Sequence, residues 1–146
     1  MLRYIYTDEL NAFPKLRDTM FRDRATQFRD RLKWEVSVDE NGYERDEYDD
    51  LNPLYAIWVL PDGRHGGSMR TLPTTGRVMV NDHFSHVLGY KIQSDTCWES
   101  TRFCMAPDLG HSAVRVSAAI MLAGCQIGLS QGLDTAVAVF DPRMVR

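Results

Sequence analysis

The order of periodic segments along the chain predicts a mixed α/β fold, with one sheet and helices packed against it. Short apolar runs bounded by turn residues predict strands, and two longer segments with helical spacing predict helices. The 146 residues are 44% hydrophobic and 25% charged, which is ordinary for one globular domain. We therefore expect a single domain over residues 1–146.

The first half of the chain predicts a strand at residues 1–6, a helix at 11–32 and a long charged loop at 34–52. Within the helix, Pro14 stands near the start, where helices accept proline. The apolar face of the helix is formed by Phe13, Leu16, Met20 and Phe28. Arg24 falls on this same face, which is an unusual place for a charge.

The second half predicts three strands, a helix and a final strand. The strands are expected at residues 54–60, 67–72, 96–105 and 134–140, with a turn at 61–63 and a loop at 74–89 that holds a short helix near Phe84. The last helix is expected to begin after Ser112, a favoured N-cap residue. Its predicted buried stripe consists of Val114, Ala118, Met121, Leu122, Cys125 and Leu129.

Composition argues against several classes of function. The net charge of −3 disfavours nucleic acid as a partner. No continuous apolar run approaches the roughly 20 residues of a membrane helix, so no membrane partner is expected. The four histidines lack metal-ligand spacing, and we expect neither a metal nor a cofactor. The three cysteines, Cys97, Cys104 and Cys125, predict buried free thiols in a reducing cytosolic setting.

Two charged runs stand out against this ordinary background. The first is Glu44-Arg45-Asp46-Glu47-Tyr48-Asp49, and the second is the Glu99-Ser100-Thr101-Arg102 portion of a predicted strand. Taken singly, such residues usually form a solvated surface. A buried charge, however, is costly unless it is paired or used. Two such runs in one small domain therefore predict a polar site built into the core.

The site is expected to combine three acids, three arginines and aromatic rings. Its candidate members are Arg24, Asp46, Asp49, Arg70, Glu99 and Arg102, with Phe28, Trp34 and Phe84 beside them in sequence. This set suits a small zwitterionic ligand with an extra positive charge. Glu99 and Arg102 are three residues apart, so in a regular strand they face opposite sides unless a β-bulge lies between them.

At these residues the chain resembles the acyl-homoserine-lactone synthases, the autoinducer synthases of bacterial quorum sensing. The shared pattern is an Arg and a Phe four apart followed by a Trp, then Glu-x-Asp-x-x-Asp, Gly-Ser-x-Arg-Leu-x-Pro-Thr, a Phe, and Glu-x-Ser/Thr-Arg-Phe. Its members here are Arg24, Phe28, Trp34, Glu44, Asp46, Asp49, the run from Gly67 to Thr74, Phe84, Glu99, Arg102 and Phe103. Thr71 stands where the pattern has Leu.

The resemblance implies an acetyltransferase-like (GNAT-like) fold with a mixed sheet flanked by helices. It implies two substrates, S-adenosylmethionine and an acyl thioester on acyl carrier protein or coenzyme A. The amine of S-adenosylmethionine attacks the thioester, and its carboxylate then displaces methylthioadenosine to close the lactone. Members of the family usually continue well past the position of Arg146, so we expect this chain to lack the C-terminal part of the domain.

The resemblance also implies roles for the individual residues. Glu99 is the candidate base, and backbone N–H groups of a bulged strand near Arg102 are the candidate oxyanion donors. Substrate contacts are expected from Arg24, Phe28, Trp34, Asp46, Arg70 and Phe84. Glu44 and Asp49 are expected to hold the network together. Asp49 alone is equally well read as a structural ion pair.

Two other functions remain open at this point. One is an acetyl-coenzyme A N-acetyltransferase of the same fold class, which binds pyrophosphate with the amides of a glycine-rich loop that enters a helix. The matching segment here, from Met105 to Ser112, contains one glycine, a proline and an acid, and so is poorly suited to bind phosphate. A non-catalytic homologue that binds a ligand or partner is the other. A basic patch of Arg22, Arg29, Arg31 and Lys33 is either a solvated helix face or a docking surface for an acidic carrier protein.

Overall fold

The structure is a computed structural model that describes residues 1–141, and its centre is a five-stranded sheet in the order β1-β2-β3-β4-β5. The strands are β1 (Leu2–Tyr6), β2 (Leu54–Val59), β3 (His65–Pro73), β4 (Cys97–Met105) and β5 (Thr135–Val137). The first four are antiparallel to their neighbours, and β5 runs parallel to β4. This element order confirms the predicted mixed α/β fold.

Four α-helices accompany the sheet in the described part of the chain. They are α1 (Pro14–Ala25), α2 (Met79–His83), α3 (Ser85–Leu88) and α4 (Ala113–Gln131). The first predicted helix is divided in the structure: a 3₁₀ turn precedes α1, and a π-helical segment, Thr26–Arg31, follows it. Such π segments are frequent at functional sites because they redirect side chains without ending the helix.

Helices α1 and α4 cover opposite faces of the sheet. Tyr55 and Ile57 of β2 pack with the apolar face of α1, whereas Leu54 and Ala56 of the same strand pack with α4. Successive residues of a strand point to opposite faces, so this alternation assigns each helix its own face. The charged run between residues 44 and 49 lies on the α1 face.

The buried stripe of α4 differs from the predicted one. The residues that face the sheet are Val116, Ile120, Ala123 and Ile127, whereas the predicted set, Val114, Ala118, Met121, Leu122, Cys125 and Leu129, is exposed. Val116, Ile120, Ala123 and Ile127 have spacings of four, three and four residues, and so do Val114, Ala118, Met121 and Cys125 of the predicted set, so the helical period does not distinguish them. The prediction that Cys125 is buried is wrong for the same reason, while Cys97 and Cys104 are buried as expected.

Helix α4 is apolar on its exposed side as well as on its buried side. The segment Gly110–Gln131 has 22 residues and contains an 18-residue window with a mean hydropathy of 1.5, which satisfies the length and composition of a membrane-spanning helix. The expectation that no segment meets this criterion is therefore wrong, although core helices of globular proteins meet it too. One side of this helix is buried on the sheet.

Candidate functional site

Six charged side chains from four parts of the chain meet on the α1 face of the sheet. We call them the ionic cluster: Arg24, Glu44, Asp46, Asp49, Arg70 and Arg102. They provide three positive and three negative charges, so the cluster is neutral as a unit. Neutrality allows such a group to be buried without an uncompensated charge.

Arg24 projects from the apolar face of α1 and is fully buried. Its Nε donates to Glu44 Oε2 at 2.6 Å, and its two terminal nitrogens each donate to one oxygen of Asp49 at 2.9 Å. The bidentate pair fixes the plane of the guanidinium. Arg24 therefore ties the first helix to the charged loop.

Arg70 plays the matching part from β3 and is also fully buried. Its terminal nitrogens donate to both oxygens of Asp46, at 2.5 and 3.0 Å, and Nη1 also donates to Asp49 at 2.9 Å. Its Nε donates to Thr101 Oγ1 on β4 at 3.0 Å. Asp49 is thus shared between the arginine of the helix and the arginine of the sheet.

A β-bulge brings Arg102 onto the same face as Glu99. The register of β3 and β4 shifts between Ser68 and Arg70, and Arg102 has a φ of 51°. The side chain of Arg102 then reaches Glu44 Oε1 at 2.9 Å and Asp46 Oδ2 at 2.7 Å. Of the two arrangements that the spacing of Glu99 and Arg102 allowed, opposite faces or a bulge between them, the structure has the bulge.

Glu99 lies outside the ion pairs but on the same face. Its carboxylate accepts hydrogen bonds from the backbone N–H groups of Met79, at 3.0 Å, and Val80, at 2.6 Å. Burial raises the pKa of Glu99, and these two hydrogen bonds only partly oppose that shift. A buried carboxyl with a raised pKa is a better proton acceptor than an exposed one.

The pKa of Asp49 moves in the opposite direction. Burial alone pushes this pKa upward, but the charges of Arg24 and Arg70 outweigh burial and hold it well below its usual range. The hydroxyl of Tyr55 also donates to Asp49, and the pKa of this buried tyrosine is raised by its burial and by the carboxylate. Asp49 therefore stays ionised and Tyr55 stays protonated.

An aromatic pair stands beside the ionic cluster. Phe28 and Trp34 are stacked with ring centroids 5.0 Å apart and planes 10° apart, and the guanidinium carbon of Arg102 lies 5.3 Å from the centroid of Phe28. The indole nitrogen of Trp34 donates to Asp141 at 3.0 Å. These rings form an apolar wall where a cation is favoured.

A cavity of about 660 Å³ opens where β5 leaves β4. The two strands pair only from Cys97 to Glu99 on β4, so the next residues of that strand have no β5 partner. We call this space the splay cavity; its walls include Phe28, Trp34, Met69, Trp98, Met121 and Gly128 together with residues 100–103 and 133–140. It joins the ionic cluster at Arg102 and has the volume of a ligand pocket.

The structure brings most of the predicted site together, with two qualifications. Phe84 packs with Tyr48, Leu72 and the α2 segment rather than on the splay cavity. Arg24 and Arg70 are wholly enclosed and paired, so their geometry supports holding the site rather than touching a ligand. Among the charged residues of the cluster, the partly exposed ones are Asp46 and Arg102.

Sequence reasoning missed two polar members of the network. Tyr55 lies opposite Arg70 in the β2–β3 register, which no local pattern reveals. Thr101 had a usable signal, because it follows Glu99 by two residues and so shares its face. Over residues 1–141, no group of three His, Cys, Asp or Glu side chains is placed to hold a metal ion.

The fold first defines a class. The sheet with helices on both faces and a parting between its fourth and fifth strands is the acetyltransferase-like α/β fold. An aminoglycoside acetyltransferase superposes on this chain with a TM-score of 0.58 over 98% of this chain and 78% of that chain, at 9% identity, so the two share the fold alone.

Within that class, a match over nearly the whole chain shows the family. The model of the family described as autoinducer synthase matches residues 9–146, and the chain belongs to this family. An acyl-homoserine-lactone synthase of Rhizobium etli is 41% identical over 99% of this chain and 70% of that protein. The crystal structure of the synthase LasI superposes with a TM-score of 0.81 at 30% identity, covering 99% of this chain and 74% of that chain.

The predicted identification and the GNAT-like fold are thereby confirmed, and the chain is an acyltransferase of the acyl-homoserine-lactone synthase class. A further structure, BjaI with SAM and isopentyl-CoA, superposes with a TM-score of 0.85 over 99% of this chain and 68% of that chain. Its identity to this chain is 24%, so it supports the fold.

Proposed function

We propose that this chain makes an acyl-homoserine lactone from S-adenosylmethionine and an acyl thioester, with the ionic cluster beside the first substrate and the splay cavity around the acyl chain. One observation carries the proposal: Arg102, at the β4 bulge, belongs both to the ionic cluster and to the wall of the splay cavity, which opens where β5 leaves β4. Amine, thioester and acyl chain therefore have adjoining sites.

Glu99 is the proposed base for the attacking amine. An α-amino group has a pKa of about 7.7–8.0, so a carboxylate assisted by its raised pKa is sufficient to accept the proton, directly or through a water. The hydrogen bonds from Met79 and Val80 hold the carboxylate in one orientation. This orientation matters because proton transfer needs a short and aligned contact.

The bulged segment of β4 is the proposed oxyanion site. Residues 100–103 line the splay cavity and lack a β5 partner, so backbone N–H groups on this edge are free to meet a thioester oxygen. Arg102 adds a positive charge next to that edge. A tetrahedral intermediate formed here develops its negative charge beside fixed donors, which lowers its free energy.

The remaining predicted residues divide into two groups. Asp46, Phe28 and Trp34 are the proposed contacts to S-adenosylmethionine, because the aromatic wall and the carboxylate both favour its sulfonium cation. Arg24, Arg70, Glu44 and Asp49 are proposed to hold these contacts in place. Lactone closure then requires the bound substrate to fold so that its carboxylate reaches its own γ-carbon, which is an orientation effect. No cofactor is required by this scheme.

The identity of the acyl carrier is a separate proposal. The basic residues Arg22 and Arg29 are exposed, and each is paired with a neighbouring acid, Asp18 and Asp30 respectively. This pairing weakens the attraction of the patch for an acidic carrier protein. Reversing both arginine charges is expected to leave turnover with acyl-coenzyme A unchanged and to slow turnover with acyl carrier protein only if that protein docks there.

Mass spectrometry of the products tests the proposal as a whole. The protein is incubated with S-adenosylmethionine and a panel of acyl thioesters on both carriers, and lactone and methylthioadenosine are measured together. Equal amounts of the two products are expected. Acylated amines without methylthioadenosine release would instead indicate an N-acyltransferase, and absence of any turnover would indicate a non-catalytic homologue.

A further inference from the structure

A second cavity, of about 410 Å³, lies near the start of β2 and the end of β3. We call it the rear cavity; its walls include Leu51, Pro53, Leu54, Leu72 and Arg77. It has no role in the reaction described above. Its position matters because it shares part of its wall with the splay cavity.

Two residues line both cavities: Thr71 of β3 and Trp98 of β4. They lie on neighbouring strands and next to each other in the β3–β4 register, since Thr71 pairs with Ser100 and Leu72 with Glu99, and Trp98 follows one pair further along, opposite Pro73. The partition between the two spaces in the described part of the chain is therefore formed by one hydroxyl side chain and one indole.

The orientation of Thr71 is fixed by a hydrogen bond. Its Oγ1 donates to the backbone oxygen of Leu54 at 3.0 Å, and the residue is buried. With the hydroxyl held by β2, the methyl group is the part of Thr71 that contributes apolar wall. The indole of Trp98 is larger than this methyl group, so it supplies most of the partition.

Trp98 packs on the α4 face of the sheet. It is half-buried and packs against the cluster of Leu54, Ala56, Ala123 and Ile127. The indole is the bulkiest side chain on the shared wall, and its removal leaves Thr71 as the remaining barrier. An acyl chain that enters the splay cavity from the bulge at Arg102 has this wall as one boundary of its space.

We propose that Trp98, with Thr71, is a specificity-determining residue that sets the upper length of the acyl chain, and that the rear cavity accepts the distal carbons once the indole is removed. This inference rests on the proposed function, because it assigns the splay cavity to the acyl chain. The ligand class of the rear cavity is accordingly a saturated or unsaturated hydrocarbon tail.

A competition between donors of increasing length tests the inference. Trp98→Phe and Trp98→Leu are compared with the unaltered protein, using an equimolar mixture of acyl thioesters of graded length and mass spectrometry of the lactones. The ratio of long to short products is expected to rise at least about tenfold for the Leu variant and less for Phe, since one methylene in an apolar pocket changes selectivity by about 10–200-fold.

Trp58→Leu is the matched control. Trp58 is also half-buried and packs on the α4 face, but it lines neither cavity, so the same loss of an indole is expected to leave the product ratio unchanged. Thr71→Leu, which thickens the partition, is expected to lower the yield of the longest product.

The outcomes separate the inference from the proposed function. If no lactone forms from any donor with the unaltered protein, the proposed function fails. Circular dichroism first establishes that the Trp98 variants are folded. If lactones form but these variants keep the original ratio of long to short products, the inference is overturned. An equal change in the Trp58 variant also overturns it, because the effect then comes from loosened packing rather than from the partition.

Discussion

On the α1 face of the sheet, Arg24 and Arg70 are wholly buried and every carboxylate of the ionic cluster has an arginine partner. Next to this cluster the splay cavity is open, and α4 lines it with Met121, Cys125 and Ile127 as well as with Gly124 and Gly128. The difference follows from the ligand group proposed for each region, charged groups beside the ionic cluster and a hydrocarbon chain in the splay cavity. Charges must be held in one geometry to be both stable and selective, whereas a hydrocarbon chain requires volume and tolerates variation in its surroundings.

The charged face is expected to show the largest effect on stability. Asp49→Asn keeps the shape of the side chain but leaves Arg24 and Arg70 short of one negative charge, so the free energy of unfolding should fall by about 3–5 kcal/mol. Urea denaturation followed by circular dichroism measures it. The matched control is Asp50→Asn, whose exposed partner is Arg45, and it should cost less than about 1 kcal/mol. Equal losses would contradict the importance of burial.

Catalysis is expected to depend most on Glu99. Glu99→Gln removes the proton acceptor while keeping one oxygen for the backbone N–H groups, so the rate of lactone formation should fall by about 10²–10⁴-fold. The exposed Glu47→Gln is the control and should retain full activity. A Glu99→Gln protein that melts near the original temperature and retains its rate would remove Glu99 from the mechanism.

Asp49 and Glu99, both on the α1 face, are expected to respond to pH in opposite ways. The folded-state pKa of Asp49 is depressed, so its contribution to stability is present above its unfolded pKa of about 3.9 and is lost as the pH falls. Between pH 6 and pH 3 the free energy of unfolding should therefore fall more steeply in the unaltered protein than in Asp49→Asn. Parallel curves would mean that Asp49 titrates normally.

The pKa of Glu99 is shifted in the opposite direction, so its effect on stability depends on pH in the opposite way. Its folded-state pKa is raised, so its contribution to stability is present below its unfolded pKa of about 4.3 and is lost as the pH rises through the folded value. Activity needs the ionised form, so the acidic limb of the pH–rate profile should lie above pH ~4.3. This limb should disappear from the residual activity of Glu99→Gln.

The apolar face is expected to respond in selectivity rather than in stability. A Cβ at Gly128 of α4 meets no atom within 4 Å, and the residue lines the splay cavity. Gly128→Leu should fill part of this volume and favour shorter acyl products by about tenfold, with a stability gain of up to about 1 kcal/mol from helix propensity. Gln131→Leu, exposed on the same helix, should leave the product ratio unchanged.

Much of the site was predictable because its members are local signals. Arg24 could be recognised because it lies on an apolar helix face. Glu99 and Arg102 could be recognised because they interrupt an apolar strand. Their spacing of three residues raised the possibility of a bulge but left opposite faces equally open. Tyr55 was not predictable, because its contact with Asp49 depends on how β2 pairs with β3.

The buried face of α4 could not be predicted from the sequence. Its two apolar stripes have the same spacing, and the sheet covers the one that contains Val116 and Ile120. Burial of one stripe over the other depends on the twist of the sheet and on where the preceding strand ends, neither of which is encoded in the helix itself. Periodicity predicts that a helix has a buried face but cannot choose between two equivalent faces.

Periodic spacing, turn residues and misplaced charges were enough to define the elements, their order and the residues of the ionic cluster, because each of these is set by neighbours along the chain. The shared face of Glu99 and Arg102, the enclosure of Arg24 and Arg70, and the gap between β4 and β5 emerged only on folding. They arise from pairing between distant segments, where register and packing select one arrangement among several that local preferences allow equally.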